Sequence, residues 1–115
     1  MRASLGAAVL AACISAQLGS ASGAETQTAA VVHIKDFKYA PTPVEVHVGD
    51  TVAFVNDDNE AHTVTSSDKK FDSEGLDSNG TWKYTFVKAG RFAYFCELHP
   101  NMKGTIVVLP PGKAP

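Results

Sequence analysis

One stretch of the chain, residues 90–109, reads GRFAYFCELHPNMKGTIVVL and predicts the fold around it. Side chains of an extended chain point to alternate faces, so Phe92 and Tyr94 share one face of a predicted strand with the thiol that follows them. Residues 104–109 are apolar and rich in β-branched side chains, which favours a second strand. The segment between the two strands places a thiol, an imidazole and a thioether at every third position: Cys96, His99 and Met102.

Other short runs of valine, threonine and aromatic residues alternate with turn-forming clusters along the chain. The predicted strands are residues 31–35, 44–48, 51–55 and 81–86, and a further strand starts within residues 62–65. Gly49 and Asp50 predict a tight turn that makes the strands before and after it neighbours. The sequence shows no helical stripe. We therefore expect an all-β, two-sheet Greek-key β-sandwich of about seven to eight strands.

Residues 1–24 have the layout of a secretory signal peptide, with Arg2 before an apolar run and small residues at the expected cleavage site. The apolar run is interrupted and falls short of the roughly 20 residues that a membrane span requires. Within it, residues 10–13 read LAAC and resemble a bacterial lipoprotein box, in which Cys13 would be lipidated. We expect an exported, periplasmic protein, with a lipoprotein anchored through Cys13 as the alternative.

The rest of the chain has room for one small domain. We expect a flexible leader at residues 25–30, the β domain at residues 31–109 and a C-terminal tail at residues 110–115. Without Arg2, nine basic residues stand against twelve acidic ones, a formal charge of −3. Because no basic stripe is available to neutralise phosphates, nucleic acid is not an expected partner. We expect a monomer.

Cys96 is the only cysteine after residue 24, so the exported domain has no partner for a disulfide within the chain. A lone thiol in an oxidising compartment is prone to oxidation or intermolecular pairing, and coordination to a metal would explain its presence. Apart from Met1, the single methionine of the chain is Met102, six positions after this cysteine. The thiol and the thioether therefore predict a metal site.

A metal site in this segment requires a sharp change of chain direction. Fully extended, the segment would hold Cys96 and Met102 about 20 Å apart, whereas ligands of one ion lie within about 4 Å of each other. The segment must therefore double back, and Pro100, Asn101 and Gly104 are turn-forming residues.

A fourth ligand must come from elsewhere in the chain. His33 and His47 lie on the polar faces of their predicted strands, so we expect them to be surface residues. His62 lies where a polar loop becomes a strand, and the strands of a sandwich bring their ends together at one pole. It is the best candidate for the missing ligand.

The metal follows from the types of ligand. Structural zinc sites use cysteine and histidine and gain little from a thioether, and calcium and magnesium require oxygen ligands. Two histidines and one cysteine with a weak, distant methionine form the mononuclear type 1, or blue, copper site. We therefore expect one copper ion that alternates between Cu(II) and Cu(I).

The combined motifs resemble those of the cupredoxins, and most closely the amicyanin-like branch. They are VGDTV at residues 48–52, His62, G-x-F-x-Y-x-C ending at Cys96, and C-x-x-H-P-x-M-x-G from Cys96 to Gly104. The two residues between the loop histidine and methionine favour amicyanin over plastocyanin. The resemblance covers residues 31–109 and implies a copper-binding β-sandwich that carries single electrons. Its copper ligands would be His62, Cys96, His99 and, axially, Met102.

Two positions depart from the family pattern. Family members commonly have asparagine after the first ligand histidine, where its side chain ties the two ligand loops together; this chain has Thr63. Amicyanin has proline before the loop histidine, and this chain has Leu98. Both departures leave the stiffness of the loop open.

The resulting hypothesis is a blue copper protein that shuttles single electrons between periplasmic redox partners. The partners would dock near His99, with Leu98 and Pro100 as an apolar collar. Four nearby acidic residues form either a solvated loop or a negatively charged surface that complements a basic rim on the partner: Asp57, Asp58, Glu60 and Glu97. The alternative is a periplasmic copper carrier or copper-resistance protein without a redox-chain role. We do not expect an enzyme, because the chain has no spare ligands for a second metal.

Overall fold

The computed structural model describes residues 27–111, so the predicted signal peptide with Cys13 and the last four residues of the tail lie outside the described part. The described part of the chain contains eight strands. They are β1 (Thr28–Lys35), β2 (Lys38–Ala40), β3 (Val44–His47), β4 (Thr51–Asn56), β5 (Thr65–Ser66), β6 (Thr81–Thr85), β7 (Gly90–Phe95) and β8 (Lys103–Leu109).

The strands form two four-stranded sheets, in the orders β2-β1-β4-β6 and β3-β8-β7-β5. The pairs β1/β4 and β3/β8 are parallel and the other pairs are antiparallel. No helix is present within residues 27–111, and none there is long and apolar enough to cross a membrane. The predicted all-β, two-sheet sandwich is confirmed.

Alternating burial along the strands explains why the two sheets pack face to face. β3 alternates between buried and exposed residues, and β8 alternates between buried and partly buried ones, as expected when one face of each strand covers the core. β4 lies in the middle of its sheet, and Val52 and Phe54 on it are fully buried. The Phe54 ring contacts Tyr94 of the opposite sheet with ring centroids 5.5 Å apart, so aromatic residues join the two layers.

Several boundaries differ from the sequence predictions. β1 begins at Thr28, so the predicted leader does not extend beyond residue 27 in the described part of the chain. β2 was not predicted, since a three-residue strand carries little periodic signal. The predicted strand at residues 62–65 is wrong: His62 forms only an isolated bridge with Leu76, and β5 starts at Thr65.

The prediction that the strands around Gly49 and Asp50 are neighbours is also wrong. The turn is tight, since the Asp50 amide donates to the His47 carbonyl at 2.9 Å. It nevertheless carries the chain from one sheet to the other, because β3 pairs with β8 whereas β4 pairs with β1 and β6. Local turn chemistry specifies the reversal but not the sheet that the next strand joins.

Gly104 was predicted both as a turn-forming residue and as the first residue of the last strand, and the structure places it inside β8, opposite Tyr94 of β7. A Cβ atom on Gly104 would lie 2.4 Å from the Tyr94 ring. Tyr94 is 1% exposed and packs edge-on against Tyr39 with ring centroids 4.7 Å apart. The glycine is therefore required by the close approach of a buried ring.

Candidate metal centre

Two loops converge at one end of the sandwich. Cys96 directly follows β7, and β7 pairs with β8 as far as Phe95 and Lys103, so the loop of residues 96–102 closes the end of this strand pair. His62 lies in the loop that follows β4 in the other sheet. The site is therefore assembled across both sheets.

Backbone hydrogen bonds fold the loop back on itself. The Cys96 amide donates to the Met102 carbonyl at 3.2 Å, and the His99 amide donates to the Cys96 carbonyl at 3.2 Å. The Met102 amide donates to the His99 carbonyl at 2.8 Å. These three bonds replace the extended path expected of a strand and bring both ends of the loop together.

Three donor atoms meet inside this fold. The Cys96 Sγ lies 3.8 Å from His62 Nδ1 and 3.7 Å from His99 Nδ1, and all three atoms lie within 4.8 Å of one another. For metal–sulfur and metal–nitrogen bonds of about 2.3 and 2.0 Å, donors would be about 3.7 Å apart at trigonal angles and about 3.5 Å apart at tetrahedral angles. The observed distances of 3.8 and 3.7 Å fit a sulfur and two nitrogens that bind the same ion.

The site is shielded from water on most sides. His62 and Cys96 are fully buried and Met102 is 4% exposed, whereas His99 is partly exposed. Cys96 is the free cysteine of the described residues. Burial keeps this thiol away from oxidants and thiols in solution, while the imidazole of His99 connects the site to the surface.

Asp58 fixes the orientation of His62 and was not predicted to do so. Its Oδ2 lies 2.8 Å from His62 Nε2, and both side chains are buried. An ionised carboxylate accepts only, so Nε2 carries the proton and Nδ1 presents its lone pair to the thiol. Sequence reasoning assigned Asp58 to the exposed acidic loop, because nothing in the sequence distinguishes it from Asp57.

The hydrogen bonds around Asp58 also set its protonation state. Burial works to raise its pKa, but hydrogen bonds from the Phe37 and Asp36 amides and from His62 outweigh burial, so the pKa of this carboxyl is lowered. The carboxylate therefore stays ionised at neutral pH and keeps accepting from His62.

Thr63 ties the two ligand loops together in place of the family asparagine. Its Oγ1 accepts from the Glu97 amide at 2.8 Å, and its own amide donates to Cys96 Sγ at 3.3 Å. A further hydroxyl, Thr65 Oγ1, lies 2.8 Å from Thr63 Oγ1 and donates to the Asp72 carboxylate at 3.1 Å. An ionised carboxylate only accepts hydrogen bonds, so Thr65 donates to Asp72 and Thr63 donates to Thr65. The Thr63 Oγ1 atom then accepts from the Glu97 amide.

The unpredicted strand β2 also supports the site. The Tyr39 hydroxyl donates to the Thr63 carbonyl at 2.6 Å, and Tyr39 is 4% exposed. Burial raises the pKa of Tyr39, so the phenol keeps the proton that this bond needs. The backbone of Thr63 is thereby held at its carbonyl by Tyr39 and at its amide by Cys96.

The two remaining histidines lie away from the site, as predicted. The side chain of His33 is 53% exposed and that of His47 is 52% exposed. Each lies near an acidic residue: His33 Nδ1 is 2.7 Å from Asp57 Oδ2, and His47 Nδ1 is 3.9 Å from Asp50 Oδ2. Neither joins the group formed by His62, Cys96 and His99.

Comparisons with known proteins agree with this geometry. Residues 5–108 match the family model of the cupredoxin-like domain. Amicyanin of Paracoccus versutus is 33% identical over 85 residues, which cover 70% of this chain and 64% of that protein. This chain therefore spans slightly less than two thirds of the length of that relative.

Solved structures give the same result. The Cu(I) form of an amicyanin variant matches with a TM-score of 0.64 and 32% identity, over 74% of this chain and 84% of that one. A purple cupredoxin from Nitrosopumilus maritimus matches with a TM-score of 0.65 and 28% identity, over 69% of this chain and 98% of that one. The chain therefore belongs to the cupredoxin-like family and is similar to the amicyanins within it.

Proposed function

We propose that this protein is a type 1 copper electron carrier with His62, Cys96, His99 and Met102 as copper ligands. The observation that carries the proposal is that one thiol and two imidazole Nδ1 atoms lie at separations that fit a single metal ion. Met102 is buried in the same loop and would supply the thioether that such sites use as a weak fourth ligand. A copper ion held by these residues would supply one-electron redox chemistry between Cu(II) and Cu(I).

The chain's own residues limit rearrangement when the charge of the site changes. Asp58 holds His62, and Thr63 holds both Cys96 and the start of the ligand loop. Fixed ligands serve both oxidation states with little movement, which favours rapid electron transfer over binding and release of the metal. This rigidity supports a function in electron transfer rather than in copper transport.

His99 is the proposed point of electron exit. It is the partly exposed imidazole of the group, and Leu98 beside it is 55% exposed. Pro100 is also exposed, so redox partners would meet an apolar surface around the imidazole. Export to the periplasm is part of the proposal and depends on the sequence of residues 1–24.

Titration of the apo protein with Cu(II) tests the proposal. We expect one equivalent to bind with an intense blue absorption that disappears on reduction and returns on oxidation. Cys96→Ser should abolish the blue colour, and His62→Gln should alter it. His47→Gln is the matched control, because His47 lies outside the donor group, and its spectrum should equal that of the wild type.

The alternative functions predict different results. Tight Cu(I) binding without a stable blue Cu(II) form would support a copper carrier. A blue spectrum that survives Cys96→Ser would show that the thiol is not a ligand and would refute the proposed site.

A further inference from the structure

The turn between β1 and β2 contains two residues with unusual backbone angles. Asp36 has φ 54° and Phe37 has φ 60°, and the strand pairing closes directly on either side of them. A two-residue hairpin turn of this kind prefers glycine at the second position. A phenylalanine with positive φ is a rare, strained conformation that persists only when its surroundings compensate for it.

One compensation comes from the backbone of the turn. The amides of Asp36 and Phe37 donate to the two carboxylate oxygens of Asp58 at 2.7 and 2.9 Å. The same carboxylate accepts from His62 Nε2 at 2.8 Å. The turn is therefore connected to the candidate metal centre through a single buried carboxylate.

These backbone bonds do not explain the phenyl side chain. Every residue except proline supplies a backbone N–H at position 37, and glycine would supply it without strain. The ring is 44% exposed, so burial in the core does not explain it either. The remaining explanation for a phenyl ring at this position is its contact with the imidazoles of the candidate metal centre.

The Phe37 ring contacts both imidazoles. Its centroid lies 5.2 Å from that of His62 and 4.8 Å from that of His99, with ring planes at 89° and 83°. These are the distances and angles of favourable edge-to-face pairs. The ring thereby packs against two histidines that come from different loops.

We propose that Phe37 is a positioning residue of the copper site, which holds the His99 imidazole against His62 and keeps water from the outer side of both rings. The inference rests on the proposed function. A drier site favours the state of lower charge, so the ring shifts the equilibrium from Cu(II) toward Cu(I). Only the part of the contact that differs between the two oxidation states contributes to this shift, so the full strength of an ordinary aromatic pair, about 10-fold in an equilibrium constant, is its upper limit.

The contact is tested first in the apo protein. Ring currents of Phe37 shift the imidazole proton resonances of His62 and His99, so NMR spectra of Phe37→Gly and Phe37→Leu should show these resonances displaced. Val87→Gly is the matched control, because Val87 is 74% exposed and adjoins Phe86, which bonds to the turn at the opposite end of the sandwich. Imidazole resonances that are the same in Phe37→Leu and the wild type would overturn the contact.

The redox consequence is tested in the copper-loaded protein. We expect Phe37→Gly to move the Cu(II)/Cu(I) equilibrium toward Cu(II) by about 2- to 10-fold at a fixed potential, and Phe37→Leu to move it less because leucine still excludes water. Val87→Gly should leave the equilibrium unchanged. A Phe37→Gly variant within twofold of the wild type overturns the redox role, whatever its stability.

Failure of the proposed function is recognised separately. A wild-type protein that forms no blue copper site refutes the electron carrier, while the apo NMR spectra still decide whether Phe37 holds the two imidazoles. A blue wild type whose equilibrium does not respond to Phe37→Gly refutes this inference alone.

Discussion

Gly104→Ala tests whether a close contact inside the sandwich supports the ligand loop. Gly104 lies two residues after Met102, and it faces Tyr94, two residues before Cys96. The added methyl carbon would lie 2.4 Å from the Tyr94 Cζ and Oη atoms and 2.8 Å from Cε2. A change at this one position therefore acts on both ends of the loop.

The size of the effect follows from how far the atoms must move. Ordinary contacts begin at 3.4 Å, so Tyr94 or β8 has to shift by about 1 Å. Tyr94 is 1% exposed and confined by Tyr39 and Phe54, and β8 is paired on both sides, so neither moves freely. Overpacking of this kind lowers the free energy of unfolding by about 1–3 kcal/mol.

Urea unfolding of the apo protein measures this loss. At about 4–8 °C per kcal/mol, thermal unfolding should show a Tm lower by about 4 to 24 °C. Gly75→Ala is the matched control, since a Cβ atom there meets nothing within 4 Å. We expect this variant to equal the wild type or to gain about 0.4–1 kcal/mol through a less flexible unfolded chain.

The comparison of the two alanine variants decides the argument. Gly104→Ala with a free energy of unfolding within about 0.5 kcal/mol of Gly75→Ala would show that the ring yields without strain. In that case the close approach of Tyr94 would not be the reason for glycine at this position. Our explanation of how Gly104 supports the ligand loop would then be wrong.

Two further predictions concern the polar groups that hold the ligands. Thr63→Val leaves the Glu97 amide without its acceptor and should lower the free energy of unfolding of the apo protein in urea by about 1–3 kcal/mol. Thr63→Ser keeps the hydroxyl and should lower this free energy less. Equal losses in the two variants would contradict a stabilising bond between Thr63 and Glu97. Asp58→Asn should destabilise the apo protein at pH 7, while the exposed Asp57→Asn control should stay within about 0.5 kcal/mol of the wild type. Because the pKa of Asp58 is lowered on folding, its stabilisation is present above the ordinary value of 3.8 and is lost as the pH falls through the lower folded value. Urea midpoints measured from pH 7 to pH 2 should therefore show the gap between wild type and Asp58→Asn closing in acid, and a constant gap would refute this assignment.

The sequence by itself determined the class of fold and the chemistry of the site. The β-branched and aromatic residues of the strand segments and the spacing of Cys96, His99 and Met102 are local properties of the chain, so they can be read without coordinates. The types of ligand then select the metal, because a thiol, two imidazoles and a thioether suit copper better than zinc or calcium.

Only the tertiary structure decided which groups support that site. Asp58 resembles its exposed neighbour Asp57 in sequence, and its role appears only when the β1–β2 turn brings two amides to one carboxylate. Phe37 lies 25 residues before His62, and its contact with both imidazoles depends on strand β2, which is too short to leave a periodic signal. Ligand identity is a property of residue type, whereas support of the ligands depends on contacts between distant segments, and those contacts exist only after the two sheets have packed.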